Sequence, residues 1–155
     1  MKLMSFHWRR AERYGLVKDD GIVDLTTRIP GIYSIRGLLA AGGVRKAVAF
    51  ASAPIDVKLA DVVALPVIPE VGKVLAVGRN YADHLAEGKR EPPPYPMLFP
   101  RYPESLVGHG ANIVKPRVSD KLDYEGELAV IIGRGGRHIS QADALAHVAG
   151  YTCLN

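Results

Sequence analysis

Two groups of side chains in the second half of the sequence could carry chemistry. Glu125 and Glu127 flank Gly126 at the start of an apolar segment. In a strand, residues i and i+2 point to the same face, with Cα atoms about 6.5–7 Å apart. Carboxylate oxygens are hard ligands that suit Mg²⁺, Mn²⁺ or Ca²⁺. The pair is therefore a candidate divalent-cation site. Taken alone, however, a Glu-x-Glu pair is more often two solvated acids at a strand end.

The second group is the pair His84 and Glu87, which are three residues apart. On a helical turn these positions are neighbours, and a carboxylate beside an imidazole fixes its tautomer and raises its basicity. The pair predicts a general base, with a surface histidine near a surface acid as the alternative. Arg101 could hold an anionic substrate or could be a solvated surface arginine.

The first third of the chain predicts short strands joined by turns, followed by helices. Alternation and turn residues indicate strands over residues 3–8, 14–18 and 22–25, with a hairpin turn at Asp19-Asp20-Gly21. Residues 34–41 predict a helix that begins at Ser34 and ends before Gly42-Gly43, and residues 44–51 predict a second helix. A proline-rich linker over residues 54–72 places a boundary near residue 70.

The elements that must position the chemical groups follow this boundary. Residues 73–78 predict a buried strand, residues 79–95 a polar and proline-rich loop with one helical turn over 83–87, and residues 97–99 another strand. Residues 125–133 form the clearest strand pattern, and the apolar run at 127–132 predicts that this strand is buried. Ser140 with Asp143 resembles a capping box that would open a helix over 141–148. Cys153, near an apolar strand start, is expected to be a buried and inert thiol.

Composition bounds the class of protein. The chain has 155 residues, 48% apolar and 23% charged, which is typical of a folded globular protein. No apolar run approaches the ~20 residues of a membrane helix, and one cysteine excludes an internal disulfide. The net charge of +4 is spread along the chain, which argues against a nucleic-acid partner. We expect a cytoplasmic protein with no membrane partner.

Five segments in a fixed order carry a family resemblance. They are Lys73-Val-Leu-Ala-Val-Gly-Arg-Asn-Tyr-Ala-Asp-His-Leu-Ala-Glu87, Pro96-Met-Leu-Phe99, Ser105-Leu-Val-Gly108, Leu122-Asp-Tyr-Glu-Gly-Glu-Leu-Ala-Val-Ile-Ile-Gly133 and Val148-Ala-Gly-Tyr-Thr152. Together they resemble the fumarylacetoacetate hydrolase family over about residues 71–155. The resemblance implies an α+β, mostly β fold. It would consist of a small N-terminal α+β domain at 1–70 and the first part of a mixed β-roll catalytic core at 71–155.

The resemblance also implies roles for individual residues. Glu125 and Glu127 would bind Mg²⁺ or Mn²⁺, and the family's third ligand would be the residue after Asn155, so the chain is expected to be truncated. His84 and Glu87 would be the catalytic dyad. Because residues 79–95 are polar and have few apolar side chains to bury, we expect this segment to act as a lid. Arg101 and Tyr81 are expected to bind substrate, although many family members have Lys-Pro where this chain has Arg101-Tyr102, so the substrate subclass is expected to differ.

The resemblance implies a reaction class as well. We expect a metal-dependent hydrolase that cleaves a C–C bond in 2,4-dioxo acids such as acylpyruvates or fumarylpyruvate, in aromatic catabolism, and gives pyruvate or a related 2-oxo acid. The expected partners are a 2-oxo acid substrate and a second copy of the chain in a homodimer. The alternatives are a hydratase, isomerase or decarboxylase of the same family, or a non-catalytic truncated relative that acts as an assembly module.

Overall fold

The computed structural model describes all residues, 1–155. The chain divides into two compact units: Met1–Pro69 together with Val107–Asn155, and Glu70–Leu106. One dividing point, after Pro69, lies beside the boundary expected near residue 70. The assignment of 1–70 and 71–155 as domains stays a prediction. None of the helices is long and apolar enough to cross a membrane.

The N-terminal part of the first unit is an antiparallel five-stranded sheet. Its strands are β1 (Lys2–Trp8), β2 (Ala11–Lys18), β3 (Gly21–Asp24), β4 (Val57–Lys58) and β5 (Val63–Ala64), in the order β4-β3-β2-β1-β5. The three strands predicted in this region are confirmed. Arg9 and Arg10, with φ of 50° and 64°, join β1 to β2. Two such left-handed residues give a two-residue turn the twist that a hairpin needs.

The larger of two hydrophobic clusters lies between this sheet and two short helices, α1 (Ile35–Ala40) and α2 (Arg45–Val48). Ser34 caps α1 as predicted, because its hydroxyl accepts the Gly37 N–H at 3.0 Å. The second helix is shorter than the predicted 44–51. The largest fully buried side chains are those of Tyr14, Phe6, Ile22, Leu25, Leu38 and Val23. Of these, Phe6 and Ile22 form the second cluster together with Val57.

The second unit is built around a two-stranded hairpin. The strand β6 (Val74–Gly78) pairs antiparallel with β7 (Met97–Arg101), and the helix α3 (Ala82–Glu87) lies between them in the chain. The strand predicted at 73–78 is confirmed, but its expected burial is wrong, since Leu75 is 60% exposed. A two-stranded ribbon has too few neighbours to bury its faces. Leu85 is the buried apolar residue of this unit.

A second hairpin completes the first unit. The strand β8 (Glu127–Ile132) pairs antiparallel with β9 (Val148–Leu154), with a bulge between Ile131 and Ile132. The predicted strand is confirmed, although it begins at Glu127 rather than residue 125. Its expected burial is wrong because alternate residues stay exposed, Leu128 at 61%.

Two further expectations fail in this hairpin. Ser140 and Asp143 do bond to each other: the Asp143 N–H donates to the Ser140 hydroxyl at 3.2 Å, and that hydroxyl donates to Asp143 Oδ2 at 2.7 Å. The segment that follows is a 3-10 helix, Ala144–His147, and not an α-helix over 141–148. Pairing with Ile132 of β8 places Val148, the last residue of the predicted helix, in a strand, so that local helix preference is overridden there. Cys153 is exposed, not buried, since it lies opposite Leu128 on the open face.

Candidate active site and metal-binding residues

The helix α3 positions the first pair of candidate residues. It begins directly after Tyr81, whose side chain makes no cap hydrogen bond. At its other end, the Arg90 N–H donates to the Leu85 carbonyl at 2.9 Å. Leu85 is buried, while His84 and Glu87 on the same helix are exposed. The single apolar anchor therefore orients this short helix, and it leaves the imidazole and the carboxylate open to solvent.

His84 and Glu87 are adjacent on the helix but do not bond to each other. Residues i and i+3 lie within reach on a helical surface. No hydrogen bond or ion pair involves either side chain, and both remain free to engage a substrate or a water molecule. The predicted helical turn over 83–87 is confirmed, whereas the catalytic role of the pair stays a prediction.

Arg101 and Tyr81 lie at opposite ends of the β6–β7 hairpin. The register pairs Val74 with Arg101 at one end and Gly78 with Met97 at the other, and Gly78 leads to Tyr81. Four residues of strand separate the two ends, which is about 13 Å at 3.3 Å per residue. Both side chains are exposed. Within this unit, Tyr81 adjoins the helix of His84, and Arg101 is not brought beside it.

The acidic pair lies at the start of β8, next to the end of β9. Glu127 pairs with Leu154. The Glu125 N–H donates to Asn155 Oδ1 at 2.9 Å, so Glu125 is also tied to the end of β9. Alternation places Glu127 on the half-buried face with Ala129 and Ile131. Glu125 is exposed. Neither carboxylate has a cationic side-chain partner in an ion pair.

The oxygen atoms of these two carboxylates are the kind of ligand that a hard divalent cation prefers. Two like charges on neighbouring extended residues repel each other, and a bound cation relieves this repulsion. The chain gathers no group of three or more His, Cys, Asp or Glu side chains that could hold a metal ion. Glu125 and Glu127 would therefore hold Mg²⁺ or Mn²⁺ with most of its coordination left to other oxygen ligands.

The connection between β8 and β9 contains side chains to which the sequence patterns assigned no role. Arg134, Arg137, His138 and His147 line one cavity there. The sequence feature that could have indicated this site is the group Arg134, Arg137 and His138, which lie within five residues after Gly133.

Comparison with known proteins gives a family match. The model of the fumarylacetoacetate (FAA) hydrolase C-terminal family matches residues 73–155, a segment that contains all six candidate residues. Oxaloacetate tautomerase Fahd2a, mitochondrial, of Rattus norvegicus is 37% identical over 138 residues, which are 85% of this chain and 44% of the rat protein. The homoprotocatechuate catabolism bifunctional isomerase/decarboxylase of Escherichia coli is 42% identical over 91 residues, 58% of this chain and 21% of that protein.

A solved structure has the same fold over nearly the whole chain. Maleylpyruvate hydrolase from Sphingobium sp. SYK-6, in complex with manganese(II) and pyruvate, has a TM-score of 0.74 and 26% sequence identity. The match covers 99% of this chain and 57% of the hydrolase chain. The present chain thus spans less than half the length of the curated relatives it matches and just over half the length of this solved chain.

Proposed function

The chain belongs to the fumarylacetoacetate hydrolase family. We propose that it forms all or part of a divalent-metal-dependent enzyme that cleaves a C–C bond in 2,4-dioxo acids. One observation carries the proposal: all six candidate residues fall inside the family match at 73–155. The manganese and pyruvate bound to the Sphingobium hydrolase support both the cation and a 2-oxo acid. A cytoplasmic homodimer is part of the same proposal.

Glu125 and Glu127 are assigned to the cation. Their oxygen donors, the absence of a cationic partner and their position at one strand start support this role. When bound, Mg²⁺ or Mn²⁺ supplies Lewis-acid stabilisation of negative charge on the oxygens of a 2-oxo acid. Arg101 and Tyr81 are assigned to substrate binding, with the guanidinium suited to a carboxylate through two parallel hydrogen bonds.

His84 is assigned to proton transfer and Glu87 to orienting its imidazole. The imidazole would accept a proton from water as the water oxygen attacks the 4-oxo carbon. The bond between C3 and C4 then breaks, its electron pair passes to C3, and C3 takes up a proton. The products are a carboxylic acid and a 2-oxo acid, and the water supplies the oxygen and both protons. Free, exposed side chains on α3 support this assignment.

The test is release of pyruvate from 2,4-dioxopentanoate by the whole protein with Mg²⁺ or Mn²⁺. Glu127→Gln keeps the size of the side chain and removes its charge, and it is expected to abolish the metal-dependent rate. Glu104→Gln, at an exposed acid in the 3-10 helix Pro103–Ser105, is the matched control and should retain the rate. Equal turnover of Glu127→Gln and wild type at saturating Mg²⁺ would refute the metal assignment.

A second candidate is isomerisation of a 2-oxo acid, favoured by the rat tautomerase match across 85% of this chain. The same residues could move a proton between C3 and the 2-oxo oxygen without breaking a C–C bond. Decay of the enol absorbance of oxaloacetate tests this reaction directly. Metal-dependent enol decay without pyruvate release from the dioxo acid would select isomerisation over hydrolysis.

A further inference from the structure

A half-open surface pocket of about 460 Å³, lined by exposed residues and the half-buried His147, lies at the connection between β8 and β9; it is called the cavity below. Its polar lining consists of Arg134, Arg137, His138, Ser140, Asp143 and His147. Pockets for small organic ligands begin at about 300 Å³, so this cavity has room for more than an inorganic ion. None of the lining residues belongs to the candidate catalytic or metal-binding set.

The charge of the lining favours an anion. Two guanidinium groups, from Arg134 and Arg137, stand against the single carboxylate of Asp143. That carboxylate already accepts the Ser140 hydroxyl at 2.7 Å. Neither arginine side chain has a hydrogen bond or an ion pair, so their N–H donors are unused. Two unpaired guanidiniums on one cavity are suited to carboxylate or phosphate oxygens.

The loop that carries these groups is held in place by its own hydrogen bonds. The His147 carbonyl accepts the N–H groups of Gly133 and Arg134, at 2.8 and 3.2 Å. The His147 Nδ1 lies 2.9 Å from the Arg134 carbonyl oxygen, so the ring donates there when Nδ1 is protonated and leaves Nε2 free. The backbone of Gly136 lies against the same ring, since a Cβ at this position would be 2.9 Å from His147 Cε1.

We propose that this cavity binds a small organic anion through a carboxylate or phosphate group, which Arg134 and Arg137 hold together. The imidazoles of His138 and His147 add polar contacts at its walls. Because the loop is already ordered by the His147 bonds, binding needs little rearrangement, which favours affinity.

The experiment is a titration of the ¹⁵N-labelled chain, observed by NMR, with inorganic phosphate in one arm and succinate in the other. We expect saturable shifts confined to residues 133–147, with Kd near 1 mM for at least one probe. The stronger arm distinguishes a phosphate site from a carboxylate site. Absence of a saturable shift in both arms up to about 20 mM would overturn the proposal.

Variants make the test specific to the two arginines. Arg134→Gln and Arg137→Gln should each weaken binding by about tenfold or more, because a charge-assisted hydrogen bond is lost. Arg137→Lys keeps the charge and loses the two-pronged geometry, so its affinity should fall between those of wild type and Arg137→Gln. Arg117→Gln, at an exposed arginine outside the cavity, should bind as wild type does. Equal affinity of Arg134→Gln, Arg137→Gln and Arg117→Gln would refute the proposed site.

Discussion

Leu85→Ala tests whether one buried leucine holds the helix of His84 and Glu87. Leu85 is 8% exposed on a six-residue helix with no side-chain cap. An isolated helix of this length is unstable in water, so its order depends on that anchor. Truncating a buried leucine costs about 2–5 kcal/mol, and we take the lower part, about 2–3 kcal/mol, because a surface helix can relax. Since 1.4 kcal/mol is tenfold, the opening constant of α3 should rise about 30- to 150-fold.

Hydrogen exchange of three amides reports this opening. The N–H groups of Leu85, Gly88 and Arg90 bond to the carbonyls of Tyr81, His84 and Leu85 at 3.1, 3.2 and 2.9 Å. Their protection should fall by the stated factor, while amides of the β1–β3 sheet keep theirs. The matched control is Leu75→Ala, at a leucine that is 60% exposed, and it should change protection of α3 by less than about 0.5 kcal/mol. Equal protection of α3 in wild type and Leu85→Ala would refute the anchoring role.

Three further predictions concern different parts of the chain. Burial, with a smaller contribution from Asp24, raises the pKa of Tyr14 from 10.0 to about 12. Folding therefore favours the neutral phenol, and this stabilisation is complete below pH 10 and is lost as the pH rises from 10 toward 12. Urea unfolding at pH 8 and pH 11 should show a loss of unfolding free energy in wild type and a smaller loss in Tyr14→Phe. That variant also removes a buried hydroxyl that has no hydrogen-bond partner. An identical pH dependence of the two proteins would contradict the linkage. Gly108→Ala should destabilise the fold by about 1–3 kcal/mol in the same assay, because a Cβ there would overlap the backbone of Ala64, whereas Gly135→Ala, where a Cβ has open space, should cost much less. His84→Ala should lower kcat of the whole enzyme by about 10²–10⁴-fold and leave metal affinity near wild type, and an unchanged kcat would make His84 a structural residue.

Local patterns in the sequence predicted the elements that local physics controls. Alternating residues and turn signals located β1 to β3, and a serine before an apolar run located the start of α1. The pairs Glu125–Glu127 and His84–Glu87 stood out because residue type and spacing are visible in one dimension. The same spacing places Glu125 and Glu127 together at the start of β8 and His84 and Glu87 together on α3, whereas their chemical roles stay predictions.

Burial and competition between elements were decided only in three dimensions. Residues 74–78 and 127–132 are apolar enough for buried strands, yet each pairs with a single partner and keeps exposed apolar side chains. Cys153 is exposed for the same reason. Residues 141–148 have a helix signal, but the helical part is limited to the 3-10 turn Ala144–His147, and Val148 pairs with β8. A sequence period shows which side chains share a face, but what covers that face depends on residues far away in the chain.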